Sequence, residues 1–313
     1  MADNPTAPQD PGSLITRDGQ LQWGDLLMGP GTRYQIAAEG LTGWHDLPGM
    51  DLGDSPRAAG HGALPGVRLA QARTVGAVVL ALPGRSPDPD APWDPVGGDD
   101  DPAGSLAELR YRTGLSAGEQ WLAVRLHGAV RAVRARVSGR VTAVNRQYAS
   151  AGLARMTLQW VCTDPHVYSQ QEYVARTPVR REGGRVGYPL AYPLAYGTAG
   201  VSGAVAVLNG GNVAARPRLT LTGPVTNPRI RNAATGRVLE YRITLTERDR
   251  LTVDTGDGTV TLNNVVSRLG SASPRSTPEQ DWTLVPGANQ VEFSDDASDS
   301  AAGLVITWRD ADL

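Results

Sequence analysis

Several residue types are absent or scarce in this chain of 313 residues, and each absence narrows the range of functions. Lysine is missing altogether, which excludes a phosphate-binding loop of the Walker type because that loop requires a lysine. Cysteine occurs once, at Cys162, so no disulfide can form within the chain. With no Asn-x-Ser/Thr acceptor and no secretory signal, the sequence predicts synthesis in a reducing cytoplasm.

Charge of one sign and long apolar runs are also lacking. The net charge of −2 gives no overall field that would attract nucleic acid or an anionic membrane. The longest apolar run, Val75–Leu82, is too short to cross a bilayer. We therefore expect a soluble protein that neither spans a membrane nor binds DNA specifically.

The sequence does contain a series of short segments in which apolar and polar residues alternate. Leu219 and Leu221 are separated by Thr220, and the same alternation recurs at Tyr241–Thr246 and Leu304–Arg309. A period of two is typical of antiparallel strands with one face toward water, and many such strands in one domain form a sandwich or a barrel. The sequence predicts a mainly all-β fold.

The length of the chain suits two domains, each large enough to bury a core. We predict a flexible N-terminal arm at 1–13, an N-terminal β domain at 14–172 and a C-terminal β-sandwich domain at 173–313. The N-terminal domain is expected to resemble a β-sandwich or split barrel. A proline-rich acidic loop at 83–104 and a doubled Tyr-Pro-Leu-Ala unit at Tyr188–Tyr196 interrupt the strand pattern.

Local patterns place the elements of the N-terminal domain. Strands are expected at Leu21–Met28, Arg33–Ala38, Glu119–Leu126, Val130–Asn145 and Ala151–Val161, and a long strand or hairpin arm is expected at Val67–Leu82. Gly40–Gly66 shows little periodicity and is expected to be a loop. Ser105 and Glu108 match a capping box, which predicts one short helix at about 105–113 that ends at Gly114.

One fragment has the residue types of a serine hydrolase. Ser55 follows Gly53-Asp54, and His61 lies close by. Catalysis would require the two side chains within hydrogen-bond reach, with a carboxylate holding the histidine. Because Pro56 follows the serine and no Asp-x-x-His motif occurs downstream, we interpret the fragment as a turn. We predict no catalytic residues and no enzyme activity.

Candidate metal ligands are few. Cys162 and His166 have the spacing of one zinc pair, but a second pair is missing. Calcium is an alternative for the aspartates of the acidic loop, although the many prolines and the uneven spacing fit a calcium loop poorly. These aspartates are Asp88, Asp90, Asp94, Asp99, Asp100 and Asp101. We predict no metal site and no cofactor.

Arginines form one local excess of charge, at Arg110, Arg112, Arg125, Arg131, Arg134, Arg136, Arg140 and Arg146. Arg134 and Arg136 are two apart and so share one face of a strand. One interpretation is a basic surface that contacts an acidic partner or lines a pore. The other is a solvated outer face whose guanidinium groups pair with neighbouring carboxylates. We favour the solvated face.

Three aromatic residues, Trp282, Phe293 and Trp308, occupy alternating strand positions in the second half. Exposed, they would suit a sugar-binding platform. Large aromatic residues at such positions usually fill a core, and we predict that these three are buried.

The order of short motifs in the last third of the chain is typical of one family. The motifs are Pro217–Pro224, Asn227-Pro228, Thr235-Gly236, Leu251–Thr255, Trp282–Phe293 and Leu304–Arg309. In this order, the stretch from Pro217 to the C-terminus resembles the C-terminal domain of siphophage distal tail proteins, the ring components at the tip of long non-contractile tails. Weaker similarity is carried by Met156–Trp160 running into Thr163–Tyr168, and by the turn at His61-Gly62.

The resemblance implies a galectin-like C-terminal sandwich and a ring-forming N-terminal domain in a structural protein of the virion tail tip, assembled in the host cytoplasm. Six copies would form a homo-hexameric ring between the tail tube protein and the tail hub, or tail-associated protein. DNA would pass through its channel. Further implied partners are the tape measure protein and receptor-binding components. An arm at Val67–Leu82 with unpaired edges would suit closure by a neighbouring copy.

The alternative function is a carbohydrate-binding, lectin-like module for host attachment. A polar groove with an exposed tryptophan would support that alternative. Burial of Trp282 and Trp308 would count against it.

Overall fold

The computed structural model describes residues 10–82, 102–114, 118–181, 202–297 and 301–313. The predicted N-terminal arm and acidic loop lie mostly outside these residues, and the Tyr188–Tyr196 repeat lies wholly outside them. The chain divides into two compact units, unit 1 up to Gln170 and unit 2 from Gln171 to Asp312. Both are built mainly of antiparallel strands, which confirms the all-β prediction.

The strands of unit 1 are β1 Leu21–Trp23, β2 Leu26–Met28, β3 Tyr34–Thr42, β4 Met50–Asp51, β5 Ser55–Pro56, β6 Ala63–Leu64, β7 Leu69–Ala70, β8 Arg73–Ala81, β9 Gln120–Leu126, β10 Ala129–Ala143, β11 Ala154–Cys162 and β12 Val167–Ser169. The helices are α1 Pro102–Arg112 and α2 Arg146–Ala151. Among the residues described, no helix has the length and hydrophobicity that a bilayer crossing requires.

One curled sheet forms the body of unit 1. Its strands follow the order β2-β1-β9-β10-β11-β8-β3, and β12 lies beside β10. The two ends of the sheet meet where the Gly29 amide, just after β2, donates to the Tyr34 carbonyl of β3 at 2.7 Å. The sheet therefore forms a split barrel. Its interior is filled by the inward residues of the strands, with Trp23 and Trp160 in contact at a ring-centroid distance of 6.0 Å.

The first predicted strand, Leu21–Met28, is wrong as a single element. It is a tight hairpin of β1 and β2, in which Trp23 pairs with Leu26 across a turn at Gly24. Gly24 has a φ of +58°, a left-handed conformation that glycine adopts without steric cost. A glycine within a strand pattern can mark a turn, and here it does.

The predicted helix at 105–113 is present but begins earlier, at Pro102. A proline is tolerated in the first turn because the amide there has no partner within the helix. Ser105 consequently lies inside the helix, and the capping box is wrong. Glu108 accepts a hydrogen bond from the Tyr34 hydroxyl at 2.7 Å instead, while Leu106 and Leu109 are buried as their spacing predicts.

A second helix, α2, corrects the expectation of a single one. The side chain of Asn145 accepts a hydrogen bond from the Tyr148 amide at 3.1 Å, which caps the helix at its start. Gly152 ends it in a left-handed conformation with a φ of +66°.

The predicted arm at Val67–Leu82 also needs correction. Its regular part, β8, is paired with β11 on one side and with β3 on the other. The strand therefore lies inside the sheet, with β11 paired along its whole length and β3 paired along most of residues 76–81.

The strands of unit 2 are β13 Tyr173–Pro178, β14 Ala204–Asn209, β15 Arg218–Thr222, β16 Val225–Thr226, β17 Arg229–Asn232, β18 Val238–Glu240, β19 Thr244–Leu245, β20 Arg250–Asp254, β21 Thr259–Leu262, β22 Val266–Ser267, β23 Gly287–Ser294, β24 Gly303–Trp308 and β25 Ala311–Asp312. One sheet has the order β13-β24-β15-β20-β21-β22, a second has the order β14-β23-β17-β18, and β16 pairs with β19. Single turns of 3-10 helix occur at Leu269–Ser271 and Glu279–Asp281.

The predicted alternation is confirmed in the strands of unit 2. Leu219 and Leu221 are buried, and so are Leu304 and Ile306, whereas the intervening Thr220 and Val305 are partly exposed. The segment Tyr241–Thr246 keeps the alternation in burial but does not form one strand, because β18 ends at Glu240 and β19 begins at Thr244.

Candidate functional site: an exposed ribbon and its root

The most exposed feature of unit 1 is a two-stranded ribbon, residues 49–71. β4 pairs with β7, and β5 pairs with β6 further out. The Gln71 amide donates to the Gly49 carbonyl at 2.7 Å where the ribbon leaves the barrel, and the Arg57 amide donates to the Gly62 carbonyl at 3.2 Å near its tip. The sequence predicts a loop over most of this segment, so the ribbon is a correction.

The ribbon has no core of its own. Every residue from Asp51 to Leu69 is exposed. Four of them are large and apolar, with exposed fractions from 45% to 74%: Leu52, Leu64, Val67 and Leu69. A two-stranded ribbon without a packed face is marginally stable in water, so these side chains are suited to burial against another surface.

Glycine allows the two sides of the ribbon to cross closely. A Cβ atom added to Gly66 would lie 2.2 Å from the carbonyl oxygen of Gly53. No side chain is tolerated at that distance without moving the backbone. Next to the crossing, the Gly66 amide donates to Asp54 Oδ1 at 2.8 Å.

The root of the ribbon is held by a buried arginine. Arg73, the first residue of β8, is 4% exposed. Its Nη1 donates to the carbonyl oxygens of Gly43, Trp44 and Asp46 at 3.0, 3.0 and 2.8 Å, and its Nε donates to the Pro165 carbonyl at 3.0 Å. Arg73 thereby fixes the loop that leads into the ribbon.

The buried charge of Arg73 is compensated by the four carbonyl groups that accept its hydrogen bonds and by its neighbours. Burial lowers the pKa of Arg73, and nearby Cys162 and Asp46 raise it in part. Burial also raises the pKa of the Cys162 thiol to about 12, so the thiol stays protonated at neutral pH. Cys162 is a buried apolar residue beside Arg73, with which it pairs across β11 and β8.

The predicted pair Cys162 and His166 is not built for a metal. His166 Nδ1 is hydrogen-bonded to Asp164, and the Tyr168 hydroxyl donates to the other oxygen of the same carboxylate. Burial opposes ionisation of Asp164, but the hydrogen bonds from His166 and Tyr168 outweigh it, and the Asp164 pKa lies below its ordinary value. Within the described segments, no group of three His, Cys, Asp or Glu residues is arranged to hold a metal ion.

The candidate hydrolase fragment lies on the ribbon. Ser55 is in β5, His61 is in the turn between β5 and β6, and both are exposed. Among the residues described, no hydrogen bond joins their side chains, and the Asp54 carboxylate accepts from the Gly66 amide. This arrangement has neither the proton acceptor nor the shielding that an activated serine requires.

The predicted arginine cluster is divided among several local roles. Arg125 pairs with Asp18 at 3.0 Å, and Arg112 pairs with Asp25. Arg140 donates to the carbonyl of Arg110 near the C-terminal end of α1, where cations are favoured.

Arg134 lies over the ring of Trp121, 5.2 Å from its centroid, and donates to the Glu119 carbonyl at 3.1 Å. Some guanidinium groups of the cluster thus pair with carboxylates, as the favoured interpretation holds, and others bind carbonyl groups or an aromatic ring.

The three aromatic residues of unit 2 are in its core. Trp282 and Phe293 are fully buried, and Trp308 is 8% exposed. Trp308 Nε1 donates to the Leu208 carbonyl at 3.1 Å, and its ring stacks on Tyr173. These residues offer no platform for a sugar.

Comparison with known protein families identifies a domain within unit 2. Residues 210–311 match the family model described as siphovirus-type tail component, C-terminal domain. The match covers the strands of unit 2 from β15 to β24 and leaves out one edge strand of each sheet, β13 and β14. The chain therefore contains a domain of this type, and the resemblance of its last third to the tail-tip proteins of siphophages is confirmed. No curated protein sequence matches the chain.

Solved structures extend the likeness beyond that domain. The crystal structure of the SPP1 Dit protein, described as a paradigm of hub adsorption apparatus in phages that infect Gram-positive bacteria, has a TM-score of 0.54 and 12% identity over 87% of this chain and 92% of that one. At this identity the likeness shows a shared fold. The baseplate of phage P2 in its activated conformation with Ca is more distant, with a TM-score of 0.46 and 10% identity over 88% of this chain and 90% of that one.

Proposed function

We propose that the chain is the distal tail protein of a siphophage, which forms a ring at the tail tip between the tail tube and the hub. Support comes from the family match of unit 2 and from the SPP1 Dit fold, which extends over both units. In this proposal unit 1 corresponds to the ring-forming domain expected over 14–172, and unit 2 to the sandwich domain expected over 173–313.

The ribbon carries the proposal. A ribbon of 23 residues in which Leu52, Leu64, Val67 and Leu69 are exposed gains stability when a second copy covers these side chains. The covering surface on the neighbour differs from the ribbon itself, so the contact is heterologous. Such a contact closes into a ring when a whole number of equal rotations from one copy to the next completes a full turn. We propose six copies.

The remaining parts of the function follow from this role. The ring leaves a channel through which DNA passes without specific binding, and the near-neutral net charge of −2 suits a protein that packs against its own copies. Its partners are the tail tube protein, the hub or tail-associated protein, the tape measure protein and receptor-binding components. The protein is structural, without enzymatic activity, and is assembled in the host cytoplasm before it resides in the virion.

The carbohydrate-binding alternative is disfavoured by the core of unit 2. A lectin site would need an aromatic ring open to solvent. Trp282, Phe293 and Trp308 are all committed to the interior.

Substitution of the apolar ribbon residues tests the proposal. We expect the wild-type chain to sediment as a closed assembly, and the triple variant Leu52→Ser, Leu64→Ser and Val67→Ser to sediment as a monomer with an unchanged melting transition. The control is Val141→Ser, which alters an equally exposed apolar residue on β10. A wild-type chain that forms no assembly, or rings that survive the triple substitution, would contradict the proposal.

A further inference from the structure

One edge of unit 2 carries a compact surface that the proposed ring contact does not use. This surface, the edge patch, consists of residue 242 and residues 246–250 and 263–271. The Asn263 amide donates to the Arg250 carbonyl at 2.8 Å, and the Asn263 side chain donates to Asp249 Oδ1 at 3.1 Å. The Arg242 amide donates to the Ser271 carbonyl at 2.7 Å. These bonds hold the three stretches side by side.

The centre of the edge patch is apolar and open to solvent. Val265 is 82% exposed, Val266 is 44% exposed and Leu269 is 46% exposed. Val266 belongs to β22, the last strand of its sheet, which is paired on one side only within the described residues. Every residue from 263 to 270 is exposed. An apolar cluster at an open sheet edge is typical of an interaction surface.

The rim of the edge patch is basic. Four arginines surround the apolar cluster, and in the described part of the chain none of their side chains has an ion pair or a hydrogen bond: Arg242, Arg248, Arg250 and Arg268. Two carboxylates share the patch. Glu247 is exposed, while Asp249 accepts from the Thr246 amide at 2.9 Å and is therefore already engaged. The local charge is positive although the chain as a whole is slightly acidic.

An occupant that fits must combine several carboxylates with an apolar anchor. Exposed guanidinium groups attract such a segment over about one Debye length, and apolar contact fixes its position. This chain contains a segment with that chemistry. Residues 88–101 carry six aspartates and no basic residue, and Trp93 and Val96 lie between them.

We propose that the edge patch of one copy binds the aspartate-rich segment 88–101 of a second copy. The aspartates pair with the arginines of the rim, and Trp93 covers Val265 and Leu269. The proposal rests on the self-association described above, because the segment comes from another copy. It adds a second contact, carried by unit 2, to the contact made by the ribbon.

A peptide-binding experiment tests this contact separately from ring formation. The receptor is the full chain with the six aspartates replaced by asparagine, so that its own segment does not compete. The probe is a fluorescein-labelled peptide of residues 86–101, and binding is followed by anisotropy. We expect saturable binding that weakens by at least tenfold between about 50 and 500 mM NaCl, because exposed charge pairs are screened.

Two receptor variants locate the site. Arg248→Gln combined with Arg268→Gln is expected to weaken binding about threefold to tenfold, since each exposed pair contributes modestly. The matched control is Arg176→Gln combined with Arg216→Gln, two exposed arginines of unit 2 outside the edge patch, and it is expected to leave the affinity unchanged.

The proposal is overturned if the peptide does not bind, or if the patch variant and the control variant lose affinity for the peptide equally. It is also overturned if a peptide in which every aspartate is replaced by asparagine binds with equal affinity. The sedimentation of the wild-type chain is measured independently. Failure of the peptide to bind therefore leaves the ribbon contact standing, and failure of the ring to form does not remove a measured peptide affinity.

Discussion

At the scale of single residues, a buried arginine and a partly buried aspartate fix the conformation of unit 1 at two places. Arg73 is a desolvated cation held by carbonyl groups. Because every second residue of β8 is buried, Arg73 lies on the same inward face as Val75 and Ala77. Asp164 is a carboxylate that binds both His166 and Tyr168. Each group is costly to bury and is stabilised by the bonds that it makes, so removal of either has a measurable effect.

Replacement of Arg73 by methionine is expected to lower the free energy of unfolding by roughly 3 kcal/mol, because four carbonyl groups lose a charged donor. Denaturant unfolding of the full chain measures the change. Amide exchange at 43–46 should also become faster, since this loop loses its anchor. Arg68→Met, at an exposed position of the ribbon, is the control and should change stability by less than about 0.5 kcal/mol. Equal effects of the two substitutions would contradict the anchoring role.

Replacement of Asp164 by asparagine should reveal a pH-dependent contribution to stability. The pKa of this carboxyl is lower in the folded chain than in the unfolded one, so its contribution is present above the unfolded pKa and is lost as the pH falls through the folded value. We expect the variant to be less stable by about 1–2 kcal/mol at pH 7, with the difference shrinking below about pH 4. Unfolding curves at both pH values measure it, and Asp257→Asn, at an exposed turn, is the control. A difference that stays constant with pH would contradict the assignment.

Replacement of Trp308 by alanine removes an anchor of unit 2. The side chain stacks on Tyr173 at a centroid distance of 5.6 Å and is almost fully buried, so we expect a loss of about 3–5 kcal/mol in the free energy of unfolding. Thermal and denaturant unfolding of the full chain measure the loss. Val265→Ala, at an 82% exposed position, should be close to neutral. A neutral effect at Trp308 would show that it lies at the surface.

At the scale of elements, the sequence predicts strands well where one face is buried. β15 and β24 are recognised because burial selects every second residue, and the long strands β9, β10 and β11 lie within a few residues of their expected bounds. The pairing of β8 on both sides was not predicted, since β3 and β11 lie far from it in sequence and local pattern carries no information about them.

Other elements were missed for different physical reasons. The strands of the ribbon are two residues long and exposed on both faces, so no alternation marks them. Helix α2 has six residues and no apolar period, and its only sequence signals are the N-terminal cap Asn145 and the C-terminal Gly152. The candidate site follows the same rule. Arg73, the buried residue at the root of the ribbon, stands two residues before Val75, so the alternation of the strand predicts that it faces inward. The exposed ribbon has no such alternation, and only its glycines indicate turns in the sequence.

Replacement of Gly66 by alanine tests the ribbon as an element. The added Cβ would meet the Gly53 carbonyl oxygen at 2.2 Å, so the crossing must open and the apolar residues beyond it must move. We expect loss of the sedimenting assembly, with the free energy of unfolding changed by less than about 1 kcal/mol, because the ribbon buries little. Gly118→Ala, where an added Cβ meets nothing within 4 Å, is the control. Assembly that persists in Gly66→Ala would show that the ribbon conformation is not required.

At the scale of the whole molecule, the two units divide the proposed role. Unit 2 carries the domain that matches the siphovirus-type tail component family, and unit 1 carries a curled barrel with a ribbon whose residues from Asp51 to Leu69 are exposed. The described residues are arranged for packing and for contact, with the polar groups engaged in holding loops and helix ends. The central claim is that identical copies supply the surface that the ribbon lacks.

The mass of the wild-type assembly tests that claim most directly. Native mass spectrometry of the purified full chain should show a species of about six times the subunit mass of 33.1 kDa, and two-dimensional electron-microscopy classes of the same sample should show a sixfold ring with a central opening. A chain that remains monomeric across the accessible concentration range, or closed rings of another copy number, would contradict the account.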